Sequence, residues 1–528
     1  MIKQELQKTI KEALAKLGIT GGDFSVERPA DPKNGDYSTN VALVSAKKST
    51  GINPKVLAGK IVDELAKSDE FLKIVEKMAV AGPGFINIWL TDGALVNEVN
   101  KVVGTLDAPR DLLADKKINS EFISANPTGK LHIGHGRGAF YGDMLANILA
   151  CAGAEVTREF YINDSQDSVQ VKELGKTALG KGEQYKTPAL EEMIARLDFG
   201  GMHEEEAGAL LAAAVQKDNR NFIENVLGVK FDVWYSEDEK LRASGASATM
   251  LAKLTAAGFV YERDGAQWLK TSEYGDDEDR VVVRSDGSFS YFLADIAYHA
   301  EKFSRGYDSV INVWGADHHG HVKRMQAVKH MLGWPGEFKI FVTQLVSLKV
   351  DGESKKMSKR AGTVVLLEDL VAEFGIDVVR WFFAEKSLGT HMEFDAALAR
   401  EQSAKNPVYY VQYAHARIAS IIEKSKCKNQ KSKIQIKIEK FDHESARSLA
   451  KKIVGFSEVV DDISLDYQIQ KLTTYVYELA QAFSAFYRDV KIIEENGVNH
   501  EALALAVATK AVIKKSLALL GISAPNSM

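Results

Sequence analysis

Pro127-Thr128-Gly129-Lys130-Leu131-His132-Ile133-Gly134-His135 is the stretch on which the fold turns. A short apolar segment around Phe122 and Ile123 runs into it, and a helix-compatible run begins near Gly136. The order is strand, loop, helix. The N-terminus of such a helix carries unpaired backbone N–H groups and the positive end of the helix dipole, so a phosphate is welcome there. Glycine at 134, 136 and 138 brings backbone close to a ligand with no Cβ in the way. His132 and His135, three apart, are near enough to face one bound group, although a His pair in a hydrogen-bonded turn looks the same.

Working outward, a second string, Lys356-Met357-Ser358-Lys359-Arg360, lies between a strand-like stretch from Phe341 to Val350 and an apolar run from Val364. Its plain alternative is a solvated lysine run. As a Gly-flanked cationic loop, its Lys356, Lys359 and Arg360 would close over a phosphate whose charge grows as it is attacked. Preorganised donors of this kind are each worth roughly 3–4 kcal/mol of barrier, and a flexible loop brings them in only when needed. Both strings in this order arise by chance far less often than either alone.

Around these motifs the text alternates short apolar runs with helix patterns from about Lys116, as in a doubly wound sheet. Charged helices over about 165–275 read as an insertion, after which the sheet resumes with Val281 to Val283 and Ser309 to Trp314. Residues 1–105 form a smaller α/β module. It comprises an amphipathic helix with Ile2, Leu6, Ile10 and Leu14, a helical pattern from Pro54 to Leu72, and a strand from Phe85 to Leu90 introduced by Gly82-Pro83-Gly84. After about residue 386 the pattern is almost wholly helical, the signature of a bundle. The expectation is a Rossmann-type doubly wound core over 106–385, an N-terminal α/β domain over 1–105 and an α-helical bundle over 386–528.

Composition bounds the function classes. At 528 residues the chain needs several cores, and its 45% hydrophobic content supports them. No apolar run approaches the ~20 residues of a membrane helix, and the N-terminus lacks a secretory core, so a cytoplasmic protein is expected. Cys151 and Cys427 alone make neither a disulfide framework nor a Cys-based zinc site. With a net charge of −5, RNA would bind only at local basic patches. The lysines from 424 to 440 form the clearest such tract, which reads first as a solvated loop.

The order of the two motifs resembles the class I aminoacyl-tRNA synthetases. Ser124-Ala125-Asn126-Pro127-Thr128-Gly129, and Asn406-Pro407-Val408-Tyr409-Tyr410-Val411-Gln412-Tyr413-Ala414-His415-Ala416-Arg417 far downstream, narrow this to the arginyl-tRNA synthetase family. The resemblance covers nearly the whole chain. It implies activation of arginine by ATP, with Mg²⁺ accompanying the nucleotide, and transfer to tRNA that must bind before activation. No zinc or tightly bound cofactor is expected, and the protein should be monomeric. His132, His135, Lys356 and Lys359 would be catalytic, and Gly134, Gly136, Met357, Ser358 and Arg360 would line ATP.

Gly315-Ala316-Asp317-His318-His319-Gly320-His321 follows a strand. Its histidines invite a metal reading, but they lack a helical i, i+4 pair. The resemblance makes Gly315, Asp317 and His318 a ribose-binding loop. Arginine is a planar cation that a carboxylate answers with paired hydrogen bonds. Tyr291 and Asp295, four apart on a helix, face one way. By residue type an Asp in a helix is more often a surface residue, whereas the resemblance makes Tyr291, Asp295 and Glu121 side-chain partners of arginine. Ser124, Asn126 and His135 would hold the rest of the amino acid.

Asp36, Tyr37 and Asn40, in Asn34-Gly35-Asp36-Tyr37-Ser38-Thr39-Asn40, are turn chemistry by composition and tRNA contacts by resemblance. Tyr409, Gln412 and Tyr413 would likewise meet the anticodon, exposed tyrosines being able to stack on unpaired bases, although aromatics so spaced are usually core. Near Phe483-Ser484-Ala485-Phe486-Tyr487 the family commonly carries His where Ser484 stands. The rival enzyme is another class I synthetase or a nucleotidyltransferase sharing the first motif, and the 406–417 segment argues against a small one. The rival of another kind is a synthetase-like RNA-binding protein without charging activity, against which both intact motifs stand.

Overall fold

The computed structural model describes residues 1–528 except 49–51, 167, 351–352, 356–364, 429–436 and 496, and except the side chains of 350, 353–355, 427 and 428. Its centre is a five-stranded parallel sheet in the order Glu337–Val342, Ser309–Trp314, Lys117–Glu121, Glu155–Ile162, Val233–Ser236. The chain's first core strand, Lys117–Glu121, lies in the middle, so the topology reverses between it and Ser309–Trp314. Ligands of open α/β sheets bind in the crevice beyond the carboxyl ends of such strands. The first histidine motif follows one of these two strands and the Gly315–His321 loop follows the other.

The central strand ends at Glu121, before Phe122 and Ile123, and carries buried Asn119, Ser120 and Glu121. The helix after it, the motif helix, runs Ile133–Cys151 and so starts before Gly136. A Cβ on its Gly142 would lie 2.2 Å from Phe122 Cγ, so glycine there allows the helix to seat on the strand's end. Gly136, read as a ligand contact, instead faces Phe383 and Leu367, whose side chains a Cβ would meet at 3.0–3.1 Å.

Two further expectations need correcting. Val233–Ser236, inside the stretch read as an insertion, is an edge strand of the core sheet. Arg280–Val283 belongs to a separate antiparallel sheet with Ala266–Leu269 and Val260–Arg263. Short apolar runs look alike in either sheet, and only their distant partners decide between them. The helices Val169–Ala178 and Glu204–Asn225 pack at Gly175 and Gly208, where a Cβ would fall 1.8 Å from Glu204 O and 2.0 Å from Val171 O.

Beyond the core, Met392–Asp395 is a strand paired in parallel with Val346–Val350, so helix is not continuous from 386. Four long helices follow, Pro407–Lys428, Glu444–Asp466, Gln470–Asp489 and His500–Leu519, and their apolar core is continuous with that of the sheet. Arg380 fastens the assembly from a buried position. It donates to Asp143 Oδ2 of the motif helix at 2.8 Å, to Leu227 O at 2.8 Å and to Leu520 O of the C-terminal tail at 3.2 Å.

The N-terminal domain has its own core under a four-stranded antiparallel sheet. The helical pattern read from Pro54 to Leu72 breaks at Ser68, whose hydroxyl caps the next helix, Asp69–Ile74, by accepting from Phe71 N at 3.3 Å. This domain is locked to the helix Glu444–Asp466. Arg28 grips both oxygens of Glu458 at 2.8 and 3.0 Å, Tyr37 donates to the same carboxylate, and Arg110 holds Asp461 at 2.8 and 2.9 Å. Asp36 accepts from Leu90 N and pairs with Lys451 and Arg447.

Asp36 and Tyr37 are therefore buried parts of the lock and not a surface for RNA. Asn40 Oδ1 accepts from Ser25 N at 2.9 Å while the residue stays half-buried. Among the described residues, no helix is long and apolar enough to cross a membrane.

Candidate active site

At the end of the central strand, Ser124 N donates to Phe122 O at 3.0 Å around Ile123, whose φ is 69°. This is a γ-turn of the strained left-handed kind, at a β-branched residue that disfavours it. The turn aims Ser124 back into the sheet, where its hydroxyl donates to Glu121 Oε1 at 2.9 Å and accepts from Tyr161 N at 3.1 Å. Asn126, exposed, accepts from Asn163 at 2.9 Å.

His132 then caps the motif helix. Its Nδ1 accepts from Gly134 N at 3.1 Å, while His135 Nδ1 accepts from His132 N at 3.1 Å, and the rings stack with centroids 3.8 Å apart. With Nδ1 an acceptor in both, each neutral ring carries its proton on Nε2 as a donor. Both imidazoles thus stand at the start of a helix, the end that favours an anion.

The residues of the second motif, Lys356, Met357, Ser358, Lys359 and Arg360, lie outside the described residues. The segment that follows them is fixed against the first motif. Ile133 N donates to Val365 O at 3.0 Å, Leu367 N donates to Leu131 O at 2.9 Å, and Lys130 pairs with Glu368 at 2.6 Å. At the neighbouring strand end Gly315, Asp317 and His318 are exposed beside the crevice. Among the described residues no group of three His, Cys, Asp or Glu stands together to hold a metal ion.

The crevice wall on the other side is the helix Tyr291–Ser304, which we call the pocket helix. Tyr291 stands at the mouth, its hydroxyl accepting from Val169 N at 2.9 Å. Asp295, one turn on, opens to the crevice with 34% of its side chain exposed. Around it are two more carboxylates, and their charges are compensated differently. Glu121 has Lys302 at 2.7 Å, and Glu237 has Arg242 at 3.1 and 3.2 Å. No lysine or arginine among the described residues pairs with Asp295; the group facing it is the His321 imidazole, 3.3 Å from Oδ2.

Burial pushes His321 down to about 4, helped by Arg324 and His318, so that ring is neutral at pH 7. Burial in the crevice, then the charges of Glu237 and Glu121, push the Asp295 carboxyl up to about 8. The site thus presents one uncompensated carboxylate to a cation from outside. Glu121 is less available than the sequence implies, because Ser124 occupies Oε1 while Tyr298 and Lys302 occupy Oε2.

Sequence reasoning missed Glu159, Tyr298, Lys302, Glu237 and Arg242, and it weighed His321 only as a metal ligand. Tyr298 and Lys302 were within its reach, since they continue the face of Tyr291 and Asp295 at helical spacing.

In the helical domain, Tyr409 and Tyr413 stack with ring centroids 6.3 Å apart and Arg417 lies over Tyr413 at 5.0 Å. They border a cavity of about 360 Å³ that Tyr410, Phe483 and Ser484 complete. Ser484 accepts the Tyr410 hydroxyl at 3.0 Å. Gln412 does not share this surface. It is buried, and its amide donates to Asp377 at 2.8 Å and to Ser523 O at 3.0 Å, tying down the C-terminal tail, which corrects its reading as an RNA contact.

Comparison with known proteins accords with this architecture. Residues 176–422 match the model of the tRNA synthetases class I (R) catalytic domain, residues 4–90 the arginyl tRNA synthetase N terminal domain, and residues 411–528 the DALR anticodon binding domain. An arginine--tRNA ligase of Bacillus velezensis is 40% identical over 556 residues, spanning 100% of this chain and 99% of its own. The Bacillus subtilis enzyme of that name is 39% identical with the same coverage. Among solved structures, a putative arginyl tRNA synthetase of Campylobacter jejuni superposes with a TM-score of 0.71 at 32% identity, over 83% of this chain and 100% of that one. The arginyl-tRNA synthetase of Thermus thermophilus, with a TM-score of 0.76 at 22% identity over 100% of both chains, speaks for the fold alone.

Proposed function

The chain belongs to the class I arginyl-tRNA synthetase family, and from that premise we propose how its crevice carries out the reaction. The protein activates L-arginine with ATP to arginyl-adenylate and transfers the arginyl group to the 3′-terminal adenosine of tRNA(Arg). The observation that carries our assignment of the pocket is that Asp295, unlike its neighbours Glu121 and Glu237, has no lysine or arginine paired with it among the described residues, at the point where the sheet reverses.

In this reading the guanidinium of arginine meets Asp295 with paired hydrogen bonds beneath Tyr291, with Glu121 contributing at most through Oε1. Ser124, Asn126 and His135 hold the amino and carboxyl groups. The substrate carboxylate attacks the α-phosphorus, the bond to the bridging oxygen breaks, and pyrophosphate leaves with the electron pair. No proton need move, so positioning and charge stabilisation do the catalysis.

The imidazoles of His132 and His135 stand with the helix start, where Gly134 lies, at the phosphates. Lys356 and Lys359 neutralise the departing pyrophosphate, Met357, Ser358 and Arg360 line the nucleotide, and Gly315, Asp317 and His318 take the ribose. Mg²⁺ enters as the counter-ion of ATP and needs no protein cage. The 2′-hydroxyl of the terminal adenosine then attacks the carbonyl carbon, the carbonyl-to-phosphate C–O bond breaks, and AMP leaves with the electron pair while its phosphate takes up the hydroxyl proton.

Residues 1–105, 106–385 and 386–528 serve as the tRNA-gripping, catalytic and anticodon-binding parts, with RNA contacts at Asn40, Tyr409 and Tyr413. The protein works as a cytoplasmic monomer. The test is charging of unfractionated tRNA with labelled arginine, and with lysine and glutamine in parallel, with and without ATP. ATP-dependent charging by arginine alone is the expected result, and charging by another amino acid overturns the pocket.

A pH dependence follows from Asp295. Its carboxyl is pushed up to about 8 in the free protein, whereas the bound guanidinium requires it ionised. Below pH 8 arginine must displace a proton, so its KM rises about tenfold for each unit of falling pH and levels off above 8. His321, pushed down to about 4, stays neutral through this window. Initial rates between pH 6 and 9 at saturating ATP and tRNA check this, and a flat arginine KM would remove Asp295 from the role.

A further inference from the structure

Behind the amino-acid pocket lies a row of buried polar side chains of which the mechanism above uses only Glu121. Glu159, Glu121 and Asn312 occupy one register across three adjacent parallel strands, so their side chains leave the sheet on one face. The pocket helix brings Lys302 to that row, seven residues beyond Asp295 and four beyond Tyr298. Lys302 is 0% exposed. Its ammonium donates to Glu121 Oε2 at 2.7 Å and to Asn312 Oδ1 at 3.4 Å, and it lies 3.7 Å from Glu159 Oε1 and 4.3 Å from the centre of the Tyr298 ring.

The two carboxylates depend on Lys302 unequally. Glu159 has a second cation, Arg305, at 2.7 and 3.1 Å on its two oxygens, and accepts from Asn119 at 2.9 Å. Burial opposes the Glu159 charge, but Lys302 and Arg305 hold its carboxyl at about 2. For Glu121 no cation other than Lys302 stands in reach among the described residues. Through Oε1 Glu121 then fixes the hydroxyl of Ser124 at the strained turn.

We propose that Lys302 is a positioning residue for amino-acid selection: it neutralises Glu121, which leaves Asp295 as the one open charge of the pocket, and it orients Ser124 through that carboxylate. The inference rests on the reading of Glu121, Ser124 and Asp295 as the amino-acid pocket. A lysine that merely filled space would be replaced by methionine without effect on selection. One that sets charge and orientation would not, since a buried carboxylate stripped of its partner takes up a proton or captures the substrate's cation in the wrong place.

The experiment is steady-state charging by full-length Lys302→Met, Glu121→Gln, the double variant and Asp295→Asn, with KM read separately for arginine, ATP and tRNA. We expect Lys302→Met to raise the arginine KM at least tenfold and to leave the other two within twofold. We expect the double variant to match Glu121→Gln alone, because the two residues act as a unit. An arginine KM within twofold of the parent in Lys302→Met, an equal rise for ATP, or additive effects in the double variant overturns the inference.

Should Lys302→Met fail to fold, Lys302→Gln, which keeps a donor toward Glu121 but removes the charge, decides. An arginine KM raised at least tenfold with the other two within twofold supports the inference, and one within twofold of the parent overturns it. An unchanged arginine KM in Asp295→Asn overturns the pocket itself, whereas a raised one beside an unaffected Lys302→Met overturns the role of Lys302 alone.

Discussion

Asp295→Ala lowers kcat/KM for arginine by about two to three and a half orders of magnitude and leaves the KM for ATP within twofold. Removing one partner of a desolvated, hydrogen-bonded charge pair costs about 3–5 kcal/mol, mostly because the other charge is left unpaired. At 1.36 kcal/mol per decade that is the stated loss. The resident carboxylates do not substitute for it. Glu121 and Glu237 are each committed to an internal cation, Lys302 and Arg242 respectively. ATP is spared because the site proposed for it lies at the start of the motif helix and the Gly315 loop, on other elements. Steady-state kinetics in each substrate check the split, and a normal arginine KM would move the guanidinium site elsewhere.

Arg380→Met destabilises the protein by about 3–5 kcal/mol with the crevice chemistry intact. The substitution takes from buried Asp143 its nearer cation, leaving Arg158 at 3.9 Å, and orphans the carbonyls of Leu227 and Leu520, so three different parts of the chain lose a tie. Gly521 reports how closely the guanidinium is packed, because a Cβ there would lie 2.1 Å from Arg380 Nη1. Chemical denaturation of Arg380→Met beside Arg380→Met/Asp143→Asn is the measurement. The double variant recovers part of the loss, and an unchanged midpoint in the single variant would contradict the account.

What the sequence reveals of this molecule follows the range of the forces involved. The motif helix, the N-terminal helix and the helical C-terminal domain are readable because periodicity and caps are local. The central strand is not, since Lys117-Ile118-Asn119-Ser120-Glu121 looks like a surface segment until its neighbours are known. The Asn119 amide and the Glu121 carboxylate find their partners in Glu159 and Lys302, 40 and 181 residues away. The same cause misplaced Asp36, Tyr37 and Gln412, whose types suggest exposure but whose partners lie in distant segments. The turn at Ile123 was hidden for the opposite reason, because local preference argues against a left-handed β-branched residue and only the surrounding packing imposes it. Asp295 was legible through its motif, while its standing as the open charge required knowing which cations the other two carboxylates hold.

The lock between Arg28, Tyr37 and Glu458 also bears on how the molecule is made. Arg28 and its carboxylate are separated by 430 residues, a length that a ribosome translates in about 20–90 s at ~5–20 residues/s. In that interval the N-terminal domain has a core of its own, yet its guanidinium and phenol have only each other and no carboxylate, and the face that will receive the helix Glu444–Asp466 is bare. A domain made before the catalytic core is thus completed only after it. A nascent chain stalled anywhere in the catalytic region presents that unfinished face to chaperones and proteases.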